Sequence, residues 1–464
     1  MTPLKTRHAP RRFRSRPLAT AVLGACIAGT PIQGMAQVLI IDDDDDQQAT
    51  APARSGAPPA PSASATGLSL DASSLWLEYG RFLDDASPSD RIGHLRGEIA
   101  ALWSPAPRWE VRLAARTYGY LEVNRNAVED LSLDYGESYV RYKGDNNRIT
   151  VGAQEVIWGR IDEFPPSDRL STQDISRYLV DELEYRRRAS GAIRWEFFWE
   201  NHKLDVLAIP RFRAAELPDR DSLWFPVNQR SGEVFALEST PATQALVRDA
   251  RIDLDEPDSD GGYGIRYSRT GAGIDYAVNV QKGRLSIPYF TFDPSTSTIG
   301  TLYPDTWSAG MDLSFEALGA VVRMEAQWTE HTPVTGLDGR VMLVESVAWG
   351  ASLELFPGDG DARLNLQLLG NWLDTEVDVL DRDNLVAIGG AYELPFANEQ
   401  WRFRTRFFAG IDARDWYINP EIAYTGIPGQ ELYMKLHYFD GEDGTPGGFH
   451  ENHSFVALGW RLSF

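Results

Sequence analysis

The chain has 464 residues, with 45 Lys and Arg against 67 Asp and Glu, for a formal net charge of −22. That acidity argues against nucleic-acid binding, which needs a basic face. Hydrophobic residues make up 43%, yet no stretch beyond the N-terminal region approaches the roughly 18–20 consecutive apolar residues of a spanning helix. A helical membrane protein is excluded.

Residues 1–36 have the organisation of a cleaved secretory signal. Lys5, Arg7, Arg11, Arg12, Arg14 and Arg16 form a basic start, and an apolar run follows from Leu18 to Ile27. Gly34-Met35-Ala36 then places small residues for cleavage after Ala36. A transmembrane anchor is the weaker reading, because Thr20, Gly24, Gly29, Thr30 and Pro31 dilute the run. Leu23-Gly24-Ala25-Cys26 resembles a lipoprotein box, but the apolar run before it is short and continues past the cysteine. Arg11-Arg12 hints at twin-arginine export, though Phe13 sits where a polar residue is usual. Cleavage removes the only cysteine, leaving no disulfide and no Cys-ligated metal.

Residues 37–66 read as a disordered periplasmic tail. Asp42–Asp46 is followed by an Ala/Pro/Ser-rich stretch that cannot bury enough surface to fold. The aspartates read as a solvated spacer in preference to a Ca²⁺ site, since no turn shapes them.

From Leu68 onward the period becomes two. In Trp109–Tyr118, Trp109, Val111, Leu113 and Ala115 oppose Glu110, Arg112 and Arg116. In Val321–Trp328, Val322, Met324, Ala326 and Trp328 oppose Arg323, Glu325 and Gln327. Arg363, Asn365 and Gln367 oppose Leu364, Leu366 and Leu368; Arg402, Arg404 and Arg406 oppose Trp401, Phe403, Thr405 and Phe407. Successive strand side chains point to opposite faces. Apolar on one face and charged on the other fits strands between lipid and a wet lumen. Eighteen such segments start near Leu68, Arg91, Pro107, Ser132, Asn147, Ala189, His202, Gly261, Gly273, Thr306, Gly319, Val341, Asp361, Leu385, Gln400, Trp416, Glu431 and His453. Short turns alternate with longer polar loops. The expected fold is all-β: a transmembrane antiparallel up-and-down barrel over residues 67–464, of about eighteen strands, or sixteen if two weaker segments fail.

The last segment puts Val456, Leu458, Trp460, Leu462 and Phe464 on one face. A terminal aromatic after alternating apolar residues resembles the signal read by the barrel-assembly machinery. That machinery, with outer-membrane lipid and lipopolysaccharide, is the expected partner set.

Two long loops break the rhythm. Residues 159–188 read as mostly helical: Ser171 and Asp174 form a capping box, and Ile175, Leu179 and Leu183 share a face. Folded inward, this loop makes a constriction, with Trp158, Arg160, Asp168, Arg177, Glu182 and Arg186 as candidate residues; capping the rim is the alternative. Residues 212–260 hold Leu223-Trp224-Phe225-Pro226, a helix starting at Pro241 and an acidic end.

Val151-Gly152-Ala153-Gln154-Glu155-Val156-Ile157-Trp158-Gly159-Arg160, with Pro166-Ser167-Asp168, resembles part of uncharacterised proteobacterial outer-membrane porin families. The overall plan is similar to the alginate-export porins, eighteen-stranded barrels with a basic lumen, which implies polysaccharide export as one activity. The local likeness spans about 20 residues and transfers no binding residue.

No cofactor is expected. No His-x-x-x-His pair or Gly-x-Ser-x-Gly elbow occurs, and His450 and His453 read as a satisfied or solvated pair. A channel needs only lumen charge and a constriction. Arg112, Arg116, Arg323, Arg363, Arg402, Arg404, Arg406 and Lys435 are the candidate lumen cations. Arg402, Arg404 and Arg406 stand about 7 Å apart. They serve either as an anion-attracting ladder or as a wall of ion pairs with carboxylates such as Glu110, Glu325 and Glu393. A structural barrel anchoring a periplasmic assembly and an outer-membrane hydrolase are the other readings, and nothing local nominates a catalytic pair.

Overall fold

The computed structural model describes residues 67–84, 87–123, 128–271, 273–358 and 361–463. The expected signal segment 1–36, the tail 37–66 with Asp42–Asp46, and Phe464 lie outside the described residues.

The wall is built from β1 (Gly67–Phe82), β2 (Arg91–Ala106), β3 (Trp109–Val123), β4 (Val128–Tyr135, resuming at Ser138–Lys143), β5 (Asn147–Gln154) and β6 (Ser190–Trp199). It continues with β7 (His202–Ile209), β8 (Gly262–Arg269), β9 (Ile274–Arg284), β10 (Asp305–Ala317), β11 (Ala320–Thr335) and β12 (Val341–Leu355). It ends with β13 (Arg363–Leu373), β14 (Asn384–Phe396), β15 (Trp401–Gly410), β16 (Asp415–Ile427), β17 (Gln430–Gly441) and β18 (Phe455–Ser463). Each strand pairs antiparallel with the next; both pieces of β4 pair with β3. β18 returns to β1, in register from Phe82↔Phe455 to Ser74↔Ser463. This is a closed barrel of eighteen strands, and the sixteen-strand option is gone.

Period two explains the wall. On the outside, Leu113, Leu131, Ile193, Ile265, Val278, Met311, Leu368, Ile388, Ile422 and Leu458 are exposed in an apolar band. Aromatic rings sit toward its edges: Trp103, Trp109, Trp199 and Trp401 at the short-turn end, Tyr79, Tyr263, Trp307 and Trp416 at the other. That distribution suits lipid between two interfaces. On the inside, Glu78, Arg116, Asp205, Asp312, Glu325, Gln327, Gln367 and Glu421 are buried. The turns 107–108, 144–146, 200–201, 318–319 and 428–429 are tight, and the long connections 155–189 and 210–261 leave from the opposite end. A helix forms at Pro241–Asp249, as expected, with Thr240 accepting from the Thr243 amide at its start.

Part of the wall is thinned by glycine. A Cβ on Gly264 would lie 2.7 Å from the ring of Trp158, which occupies the space that a side chain would fill; a Cβ on Gly283 would lie 2.9 Å from Leu170. Replacing Gly264 by Val raises intrinsic strand preference, yet it should lower the midpoint of thermal unfolding by the equivalent of about 1–3 kcal/mol of overpacking. Thermal melts by circular dichroism, paired with heat-modified gel mobility, check this. An unchanged midpoint would show that Trp158 is not seated against β8.

Candidate functional site

Residues 155–189 do not form the expected helix. Thr172–Gln173 pairs with Arg187–Arg188 as a small hairpin, and two 3₁₀ turns, Tyr178–Val180 and Leu183–Arg186, fill its loop. Tyr178 has a φ of 45°, which interrupts any continuing right-handed helix. The expected capping box is absent: the Asp174 carboxylate accepts from the amide and hydroxyl of Ser176. Glu182, Arg186 and Arg188 pair with distant partners and not along a helix face. Glu182 meets Arg404 at 2.8 Å, Arg186 meets Glu163 at 3.4 Å, and Arg188 meets Asp134 at 2.9 Å and Glu216 at 2.6 Å. Tertiary charge pairing overrides local propensity here.

The segment touches Glu78 on β1, Arg96 on β2, Arg116 on β3, Asp205 on β7, Asp312 on β10, Glu325 on β11, Asn365 on β13 and Arg406 on β15. A segment that reaches strands all around a closed wall lies inside it. Residues 155–189 are therefore a plug folded into the lumen, and the rim-capping alternative is set aside.

Each candidate plug residue is placed by a specific partner. Trp158 is buried among Val156, Ala192, Leu207 and Ile209, and its indole N–H donates to Asp205 at 3.3 Å. Arg160 donates to Asp312 through its guanidinium. Glu325 accepts the backbone N–H groups of Arg160, Ile161 (2.6 Å) and Ser167 (3.3 Å), so one carboxylate gathers the first turn of the plug. Arg177, 2% exposed, bridges Glu78 and Asp181. Asp168 faces Arg187 at 3.8 Å; burial pushes its carboxyl up to about 6, against the pull of that arginine. Burial also opposes ionisation of Glu182, but Arg404 and Arg406 hold it well below the usual carboxylate range.

Between the plug and β11–β15, acids on one side face cations on the other. Asp162 approaches Arg363 at 4.0 Å, Glu163 approaches Arg406 at 3.3 Å, and Glu182 approaches Arg404. Among these groups, Asp162 and Arg363 keep about half of their side chains open to solvent, 53% and 44%.

The arginine ladder is paired along its length. Arg402 meets Glu421 (3.4 Å) and Glu431 (2.6 Å), Arg404 also lies 3.9 Å from Glu393, and Arg406 donates further to the Val180 carbonyl, Tyr417 and Asn419. Of the carboxylates expected to neutralise it, only Glu393 does so. Glu110 pairs with Arg141 and Lys143 across β3–β4, and Glu325 holds the plug. Arg323 and Arg363 share Glu354. Arg116 bridges Glu98 and Glu155. Lys435 meets Glu78 at 2.6 Å. Arg112 lies on the inner face of β3, in step with Glu110 and Arg116. Trp460 and Leu462 lie on the outer face of β18, in step with the exposed Leu458. Glu163, Asp162, Asp312 and Glu78 were not anticipated; Glu421 and Glu431 were legible from alternation alone.

The second long loop closes over the plug. Ser222 and the Leu223 amide bond to the buried Glu122, and Trp224 packs with Val180, Phe439 and Phe455. His450 and His453 are buried beside Trp224, with their Nδ1 atoms 2.9 Å apart. Burial lowers His453 to about 4, with Asp84 opposing. Among the described residues no three metal-ligating side chains gather.

No protein-family model matches the chain, and no curated protein matches it. Several solved structures are similar in shape. They include OccAB3 of Acinetobacter baumannii (12% identity, 85% of this chain and 98% of that one, TM-score 0.49). Pseudomonas aeruginosa OpdL is another (9%, 86% and 98%, 0.48), as is Salmonella typhi OmpF in complex with daunomycin (9%, 85% and 97%, 0.42).

Two outcomes follow from this geometry. Glu325→Ala leaves three amides without an acceptor, at about 1–3 kcal/mol for each that stays buried, so limited proteolysis should cut within 159–188 in the variant and spare the parent; equal resistance would refute the anchoring. Asp168 has a raised folded-state pKa, so its contribution to stability is present below the ordinary value of 3.8 and lost as pH rises through about 6. Relative to Asp168→Asn, the parent's melting midpoint should therefore fall between pH 4 and pH 6, by a few degrees; a constant offset across that window would exclude it.

Proposed function

We propose that the chain is an outer-membrane channel for small hydrophilic solutes, with its eyelet between the 155–189 plug and the wall from β11 to β15. The observation that carries this reading is the meeting of opposed charge rows between plug and wall, Asp162, Glu163 and Glu182 against Arg363, Arg406 and Arg404, with Asp162 and Arg363 about half open to solvent. A solute crossing there passes through a transverse field. Such a field orders dipolar solutes and screens them by charge and width, as selectivity filters do. The closed wall and its apolar outer band supply the membrane setting, and the secretory signal expected in residues 1–36 supplies the route to it.

Within this reading, charged solutes that include carboxylates or phosphates interact with the ladder of Arg402, Arg404 and Arg406. Guanidinium binds both groups bidentately. The ladder is already paired, so it acts by exchanging partners with a passing anion and not as a row of bare charges. No residue in the eyelet carries out chemistry on the solute.

Reversal potential in a planar bilayer under a KCl gradient tests this. The refolded parent should conduct, and changing Arg402, Arg404 and Arg406 to Gln should move selectivity toward cations, because Glu182 loses its counter-charge and Glu163, Glu421 and Glu431 are left with one arginine fewer each. Unaltered selectivity would limit the ladder to wall stability. A silent parent that conducts once residues 165–185 are removed would mean a plugged barrel requiring a trigger.

A further inference from the structure

At the short-turn end of β7–β9 the lipid-facing surface carries a charge. On β8, Tyr263, Ile265, Tyr267 and Arg269 alternate with Arg266, which turns inward to Asp312, so Arg269 belongs to the outer face. Antiparallel register sets His202 of β7 on one side of it and Tyr276 of β9 on the other, at the same height. Among the described residues, Arg269 has no ion pair and no side-chain hydrogen bond. Other exposed cations of the wall do have partners. Arg108, in a turn at the same end, meets Asp145 at 2.7 Å, and Lys282, at the far end of β9, meets Asp305 at 3.2 Å.

Stacked rings shape the surface around this charge. Trp195, Phe197 and Trp199 stack along β6 with centroids 6.0 and 5.5 Å apart, and Trp199 stacks on His202 at 5.4 Å. His202 in turn lies parallel to Tyr267 at 5.8 Å, fixed by a 2.7 Å hydrogen bond between its Nδ1 and the phenol oxygen. Tyr276 packs against Tyr267 from the other side at 6.2 Å. Imidazole and phenol tips therefore surround the guanidinium. Deeper in the band, on the same face of β8 and β9, Ile265, Val278 and Val280 are exposed.

A ligand arriving along this face meets a cation and hydroxyl tips at the interface, then bare aliphatic surface toward the membrane centre. Anion first and hydrocarbon behind is the order of groups in a phospholipid. We propose that β7–β9 bind one anionic phospholipid of the periplasmic leaflet, the side on which short turns lie in barrels of this kind. Its phosphodiester sits on Arg269, its glycerol against Tyr267 and Tyr276, and its chains along Ile265, Val278 and Val280. Guanidinium matches the phosphate geometry. A zwitterionic headgroup would also bring an ammonium, and the row of His202, Arg269 and Tyr276 offers it no carboxylate; Glu200 sits exposed in the turn beyond. The site requires the wall to lie in a membrane and does not require conduction, so it can fail while the channel reading stands.

The test is native mass spectrometry of the folded protein in detergent, titrated with phosphatidylglycerol and with phosphatidylcholine and phosphatidylethanolamine of the same acyl chains. The first phosphatidylglycerol should bind about fivefold or more tightly than either zwitterionic lipid, the preference that one arginine at a membrane surface supplies. Arg269→Gln should remove the preference, and Arg269→Lys should keep a smaller one, because an ammonium is a point charge. Arg340→Gln, in an exposed loop at the other end of the barrel, should leave it unchanged. Heat-modified gel mobility confirms that each variant is folded. Equal affinity for the three lipids, or a preference retained by folded Arg269→Gln, would overturn the site. Glycerol 3-phosphate binding as tightly as the lipid would also overturn it, since the aliphatic surface would then contribute nothing. A dimer that dissociates in Arg269→Gln would assign the face to a second copy of the chain and overturn the lipid site as well.

Discussion

Everything in this fold depends on the seam between β1 and β18. A sheet immersed in lipid cannot leave an edge, because each unpaired N–H or C=O there has no water to turn to. Nine register pairs, from Ser74↔Ser463 to Phe82↔Phe455, close the ladder. Once closure is imposed, the inner face becomes an enclosed volume into which every second residue projects. The sequence fills that volume with charge, and the enclosure then forces the charges to find one another.

The plug is the outcome of that pressure. Its arginines and acids complete sets that the wall leaves open: Arg177 meets Glu78 beside Lys435, Arg160 meets Asp312 beside Arg266, and Glu163 meets Arg406. Pairs of this kind, drawn from water, contribute little net stability unless their remaining hydrogen bonds are met. What they supply is position. The Glu325 carboxylate fixes where the plug begins, and the apolar contact of Val180 with Trp224 ties it to the loop above.

The wall was legible in the sequence because its signal is local. Alternation over eight or more residues names both the strand and its two faces, so Glu110, Arg116, Arg323 and Arg402 were assigned inward from their neighbours alone. The plug was not legible. Ser171, Asp174, Ile175 and Leu183 satisfy helical spacing, yet Ile175 and Leu183 are buried in a chain that reverses at Arg187–Arg188. The partners that decide this, Glu78 and Arg404, lie far off in sequence, and their height in the lumen follows from barrel register, which a single sequence does not reveal. The same reason misassigned Glu110 and Glu325 as counter-charges to the ladder.

The reach of the plug also has a kinetic side. Arg177 contacts Glu78 across 99 residues, and Glu163 contacts Arg406 across 243. Contacts of such separation form late, after the loop-closure entropy has been overcome. Arg404 and Arg406, which meet Glu182 and Glu163 of the plug, do not exist until β15 has joined the sheet, and Glu78 reaches its place beside Lys435 only when the two ends of the wall meet. Plug docking is therefore completed only with the last strands of the wall, and a barrel stalled before β15 would hold Glu163 and Glu182 without their wall partners.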